Sequence, residues 1–101
     1  MPPGISIIMN NEDTLADLSK AVMKLRDSKE VASFLKDILT RSELEIVLLR
    51  WRVAGLLDQG LPYTQIERET GASSATIAKV SEFLKYGYDG YRIAIDRTKK
   101  R

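Results

Sequence analysis

Residues 41–59 constrain this chain more than any other stretch. Leu44, Ile46, Val47, Leu48, Leu49, Trp51, Val53, Ala54, Leu56 and Leu57 all fall within it and cover more than one face of a helix. A helix that is apolar nearly all round has to be buried nearly all round. Running from Thr40 to Gln59, it would be roughly 30 Å long at the α-helical rise. The chain has 101 residues, enough for one domain with one core, and chains this short bury themselves poorly. A second copy can supply the missing wall. The segment therefore predicts a homodimer with Leu44, Val47, Leu48, Trp51, Ala54 and Leu57 in a shared core. The competing arrangement is a central helix in a compact monomer.

The punctuation around this segment marks about six helices and no strand, an all-α chain. Thr40-Arg41-Ser42-Glu43 has the form of a capping box, in which hydroxyl and carboxylate each satisfy an orphan amide, and Gly60 can close the far end. Upstream, Leu15, Leu18, Val22 and Leu25 recur at helical spacing. Asp27 with Glu30 forms a second box ahead of Val31, Phe34, Leu35 and Ile38. Downstream, Gly87 and Gly90 break the chain before a short last helix over 91–97. Tyr86, Tyr88 and Tyr91 crowd this break; base stacking would use such rings, but packing with wet hydroxyls is the commoner role. One helical domain is expected over residues 11–98. Residues 1–10, with the run Ile5-Ser6-Ile7-Ile8-Met9, read as a flexible arm or as an extension upstream of a start at Met9. That run has no basic leader and is too short for a signal peptide or membrane span, so a cytoplasmic protein without membrane contact is expected.

Composition narrows the chemistry. There is no Cys and no His. Disulfides, thiolate metal sites and cysteine nucleophiles are excluded, and the side chain best suited to proton transfer near neutral pH is missing. Glu43 with Glu45, and Glu67 with Glu69, lie two apart on helices and diverge around the axis. No metal site, cofactor or catalytic residue is expected, and an enzyme ranks last among the function classes.

The net charge of +2 is small, but its distribution is uneven. Residues 88–101 carry five basic and two acidic side chains and end in Lys99-Lys100-Arg101, whereas residues 41–87 balance at six and six. The tail over 99–101 reads as an attraction for phosphate or as a solvated terminus. Between Tyr63 and Tyr86 the sequence has the form of a helix-turn-helix. Pro62 suits helix entry, Gly71 ends the first helix in left-handed geometry, and Ser73 can cap the second. Ile66, Ala72, Ile77, Val80 and Leu84 form the inward set. Ser73, Ser74, Thr76 and Lys79 remain as a small polar face near a helix N-terminus, where amides and dipole favour phosphate and small side chains allow entry into a major groove. Glu67 and Glu69 make the first helix of the pair acidic.

These residues together resemble the Trp repressor superfamily, in particular its small YerC/YecD branch. The match is carried by Leu39-Thr40-x-x-Glu43, Arg50-x-Arg52, Leu56-Leu57 with Gly60, and Glu69-x-Gly71-Ala72-x-x-Ala75-Thr76-Ile77, and Leu84-Lys85 extends it. It covers about half of the chain strongly and the other helices loosely. The resemblance implies an intertwined all-helical homodimer whose two reading heads meet successive major grooves of double-stranded DNA, and a role in transcriptional regulation. It implies DNA contacts at Tyr63, Thr64, Ser74, Ala75, Thr76, Lys79 and Lys85, to which the polar face adds Ser73.

In the tryptophan-responsive member, the ligand lies between reading head and dimer core, held partly by two Arg side chains and a small hydroxyl. Thr40 and Arg50 match the core side of that pocket, while Lys79 stands at an Arg position, Val80 at a Gly and Phe83 at a Ser. Added bulk at Val80 and Phe83 is expected to fill the volume, because an indole cannot share occupied space. Free tryptophan is therefore not expected as a co-repressor, and no other effector is assigned. The alternative to a DNA-reading regulator is a helical protein-interaction module that docks a partner on the acidic first helix of the motif.

Overall fold

The structure, a computed structural model, describes residues 11–99. Six α-helices and no strand occur among them: α1 (Asn11–Met23), α2 (Ser28–Ile38), α3 (Arg41–Asp58), α4 (Tyr63–Thr70), α5 (Ser74–Tyr86) and α6 (Gly90–Lys99). The expected arm over 1–10, and Lys100 and Arg101 of the expected tail, lie outside the described residues. The 11–98 span, read above as one domain, divides into two compact units that meet in sequence between Thr40 and Arg41.

In the first unit, α1 begins with Glu12 and Asp13 and carries Lys20 in its last turn, a charge order that suits the helix dipole. Leu15, Leu18 and Val22 form the expected apolar stripe but stay exposed, Leu25 falls beyond the end of the helix and is half-buried, and neither α1 nor α2 buries a residue within the chain. α2 is capped by Asp27, whose carboxylate accepts from the Glu30 amide at 2.9 Å. The returning Glu30 carboxylate accepts from the amide of Arg26 at 2.8 Å, one residue earlier than a reciprocal box would place it.

In the second unit, α4, α5 and α6 all pack on α3. The core consists of Val53, Ala54, Ile66, Ala72, Ile77, Val80 and Ile95, with Leu49, Leu56, Leu57, Leu61, Leu84 and Tyr91 packed around it. The inward set expected of the helix-turn-helix is all here. Only one face of α3 is covered in this way. Ala54 is fully buried in its own chain, and half-buried Leu57 packs on that core. Ala54 was expected in a shared dimer core; its small side chain instead lines the contact of α3 with its own neighbours. Leu44 is half-buried, while Ile46, Val47, Leu48 and Trp51 are 48, 39, 55 and 41 % exposed.

The C-terminal helix is pinned by charge as well as by Ile95. Asp58 ends α3, where a carboxylate opposes the helix dipole. Arg92 Nη1 donates to Asp58 Oδ1 at 2.7 Å, Lys99 Nζ donates to Oδ2 at 3.0 Å, and Arg92 also reaches Asp96 at 3.1 Å. The Asp58 side chain is only 13 % exposed. Hydrogen bonds from Arg92 and then Lys99 hold its carboxyl below the usual carboxylate range, and the bond to Asp58 holds the Arg92 guanidinium above its ordinary value. Lys99 was expected in a free tail; it is a helical residue tied to Asp58.

The lowered Asp58 value fixes a sign. The carboxylate contributes stability above its unfolded value near 4 and loses it as pH falls through the lower folded value. Asp58→Asn should therefore melt below the wild type near neutral pH, with the gap closing as the pH drops below about 4. Thermal melts followed by circular dichroism across that range check this. Parallel acid profiles for the two proteins would show that the clamp adds nothing.

Candidate nucleic-acid interface

The helix-turn-helix is built from local chemistry. Pro62, in extended geometry with φ −70°, precedes α4, and its carbonyl accepts from the amides of Gln65 and Ile66 at 3.1 Å. α4 stops at Gly71, whose φ of +77° is open to glycine and strained for other residues, and whose N–H donates to Glu67 O at 2.9 Å. Thr70 stitches the turn: its hydroxyl donates to Ile66 O at 2.7 Å and accepts from the Ala72 amide at 3.1 Å. Ala72 is buried, so α4 and α5 approach closely there. Ser73 then caps α5, accepting from the Thr76 amide at 3.1 Å.

With Ile77, Val80 and Ser81 turned into the core, α5 cannot rotate, and its opposite face is set. Ser73, Ser74, Ala75 and Lys79 are exposed around its first two turns, with Thr76 half-buried beside them. Lys85 is exposed in the last turn, about 9 Å further along the helix axis. Tyr63 and Thr64 are exposed in the first turn of α4. Of the two acids of α4, Glu67 is half-buried and Glu69 accepts from Gln65 Nε2 at 2.8 Å.

Two clefts flank this head. One of about 670 Å³ is lined by Arg50, Trp51, Lys79, Val80, Phe83 and Tyr91, among others. The other, of about 370 Å³, is lined by Ile46, Leu49, Arg50, Ala75, Thr76 and Lys79. Four of the five residues expected around an effector, Arg50, Lys79, Val80 and Phe83, thus come together on the larger cleft, while Thr40 is exposed and belongs to the first unit. The expectation that Val80 and Phe83 fill the volume is not met within this chain. Val80 turns into the core, and Phe83 stands 44 % exposed on the wall of an open cleft. Arg50 and Lys79 are exposed and free of ion pairs among the described residues. Trp51, Tyr88, Tyr91 and Ala94 also line the larger cleft and were not expected there. The crowding of tyrosines next to Gly87 and Gly90 was the signal available for two of them. Gly87 itself is required, since a Cβ there would run into the Phe83 carbonyl.

Set beside known proteins, the same helices recur. A model of the family described as Trp repressor protein matches residues 13–99. The chain belongs to the Trp repressor family. It is similar to the uncharacterized protein YerC of Bacillus subtilis, at 41% identity over 86 residues, which are 85% of this chain and 83% of that protein. Among solved structures, a TrpR-like protein from Eubacterium eligens superposes with a TM-score of 0.81 at 34% identity, covering 90% of this chain and 97% of the other. A candidate Trp repressor from Staphylococcus aureus gives 0.80 at 31% identity, covering 100% and 98%. The family and the all-α fold implied by the resemblance in the sequence are thereby established. No helix among the described residues is long and apolar enough to cross a membrane.

The turn geometry is open to a direct check. A Cβ at Gly71 would meet open space, so the cost of Gly71→Ala comes from backbone strain alone. It should destabilise the protein by about 1–2 kcal/mol in denaturant melts. An unchanged melt would mean that the turn does not need left-handed geometry.

Proposed function

We propose that the chain is a sequence-specific, DNA-binding transcription regulator that acts as a homodimer in the cytoplasm, with α5 entering the major groove of double-stranded DNA. The observation that carries this reading is the outer face of α5. Small polar side chains and the unpaired Lys79 stand exposed at the start of a helix whose inner face is locked into the core. Small residues allow close approach to base edges, and the helix N-terminus with Lys79 and Arg50 favours phosphate. Tyr63, Thr64, Ser73, Ser74, Ala75, Thr76, Lys79 and Lys85 are the proposed contact set. The family membership supports the same function class.

The homodimer rests on the exposed side of α3. Val47, Leu48 and Trp51, with Leu44 and Ile46 beside them, are the proposed contacts with a second copy. Tryptophan is not proposed as an effector. Phe83 adds bulk to the cleft wall that would face it, and nothing there commits the cleft to an indole. In this reading the protein is not an enzyme.

Selection from random duplexes, followed by salt titration of the best binder, tests the DNA reading. Affinity should fall steeply with salt, and Lys79→Ala should weaken binding and reduce the log–log slope by about 1. Binding that ignores salt, or a variant identical to wild type, would favour a protein partner docking on α4. Calorimetric titration with tryptophan should show no saturable binding that strengthens the DNA complex. A tenfold gain on adding tryptophan would assign the larger cleft to that ligand.

A further inference from the structure

Three carboxylates sit on the helix-turn-helix, each in a different setting. Glu67 is half-buried on α4, and Glu69 accepts from Gln65 Nε2 at 2.8 Å. Glu82, in the third turn of α5, is exposed, and its side chain has no hydrogen bond or ion pair among the described residues. Lys79 and Lys85 stand three residues before and after it, at the spacing where side chains of one helix meet, yet neither pairs with it.

The rotation of α5 decides where that carboxylate stands. Ile77, Val80 and Ser81 are buried and Leu84 packs on the core, which fixes the inner face. At about 3.6 residues per turn, the opposite line runs through Ala75, Lys79, Glu82 and Tyr86, all exposed. This is the ridge furthest from the core. Helical side chains lean toward the helix N-terminus, so Glu82 covers the turn before its own. Ala78 lies there, exposed, and its methyl group leaves the carboxylate room. Glu82 thus extends the outer face of α5 beyond Ala75 and Lys79, on the same side as the proposed contact set.

A bare carboxylate is a costly group on a face that meets DNA. It repels phosphate, and it can only accept hydrogen bonds. In the major groove the donors are the amino groups on N4 of cytosine and N6 of adenine, whereas N7 and O6 of guanine and O4 of thymine accept. We propose that Glu82 is a specificity-determining residue that accepts from the amino group of a cytosine or adenine and rejects guanine or thymine at the same place on that strand. This rests on the DNA-binding reading above and names the base chemistry read at one position. Lys79 supplies attraction to phosphate on any sequence, and Glu82 offsets it wherever no amino group faces it.

Two substitutions and one change in the DNA test this. Glu82 has no partner to lose, and Ala and Gln are good helix formers, so Glu82→Ala and Glu82→Gln should melt as the wild type does. In selections from random duplexes, the wild type should prefer adenine or cytosine at one position where Glu82→Ala does not, the ratio against guanine or thymine falling about tenfold. Glu82→Gln keeps the length but adds a donor, so guanine should become acceptable there. The amino group is then removed from the DNA instead, with purine in place of that adenine or 2-pyrimidinone in place of that cytosine. The wild type should weaken about tenfold on this duplex and Glu82→Ala should not change. Identical base preferences for wild type and Glu82→Ala, a gain in affinity that is equal on every duplex, or equal losses for both proteins when the amino group is removed would overturn the proposal. A wild type that selects no duplex would overturn the reading on which it rests, and the proposal with it.

Discussion

The second unit is organised around the two sides of α3. One side, through Val53 and Ala54, is sealed by α4, α5 and α6 of the same chain. The other presents Ile46, Val47, Leu48 and Trp51, each about half exposed. Fully covering an aliphatic or aromatic side chain is worth about 1.5–3 kcal/mol, so completing these four would contribute roughly 3–6 kcal/mol. That is a large part of the net stability of a small domain. The same helix thus supports the helix-turn-helix on one side and leaves an apolar surface open on the other. In the proposed dimer, the spacing of the two heads would follow from how α3 pairs.

The head is rigid for reasons that can be named. Left-handed Gly71, the Thr70 stitch and the Ser73 cap fix the turn, and Ile66, Ala72 and Ile77 fix the angle between α4 and α5. Asp58 anchors α6 through two cations, and α6 in turn forms a wall of the larger cleft through Tyr91 and Ala94. Charge is therefore used in two ways here. Arg92 and Lys99 of α6 are neutralised by Asp58 to hold structure, while Arg50 of α3 and Lys79 of α5 have no ion pair among the described residues.

Most of this architecture was legible in the residues. Apolar spacing and caps are short-range signals, so the six helices, the Gly71 turn, the Ser73 cap and the inward set of the head could be read directly. Which way α3 turns was harder, because a helix apolar on several faces has no periodicity to choose its inner side; Ala54 was misjudged for that reason. Lys99 looked like tail because its partner, Asp58, lies 41 residues away in sequence. Phe83 looked like filler because side-chain bulk can be read from a sequence, but the direction in which it points cannot. At the candidate site, residues of α4 and α5 could be named from the motif, while the aromatic wall contributed by the α5–α6 turn and α6 depended on packing.

Thermal unfolding should depend on protein concentration, since a second copy that covers α3 must stabilise the fold by mass action. Melts followed by circular dichroism, with Trp51 emission as a local probe, would span sub-micromolar to near-millimolar protein. With a second copy on α3, the midpoint should climb steadily with concentration and Trp51 emission should shift to the red on dilution. A fully helical protein with one midpoint and one emission maximum across that range would contradict it.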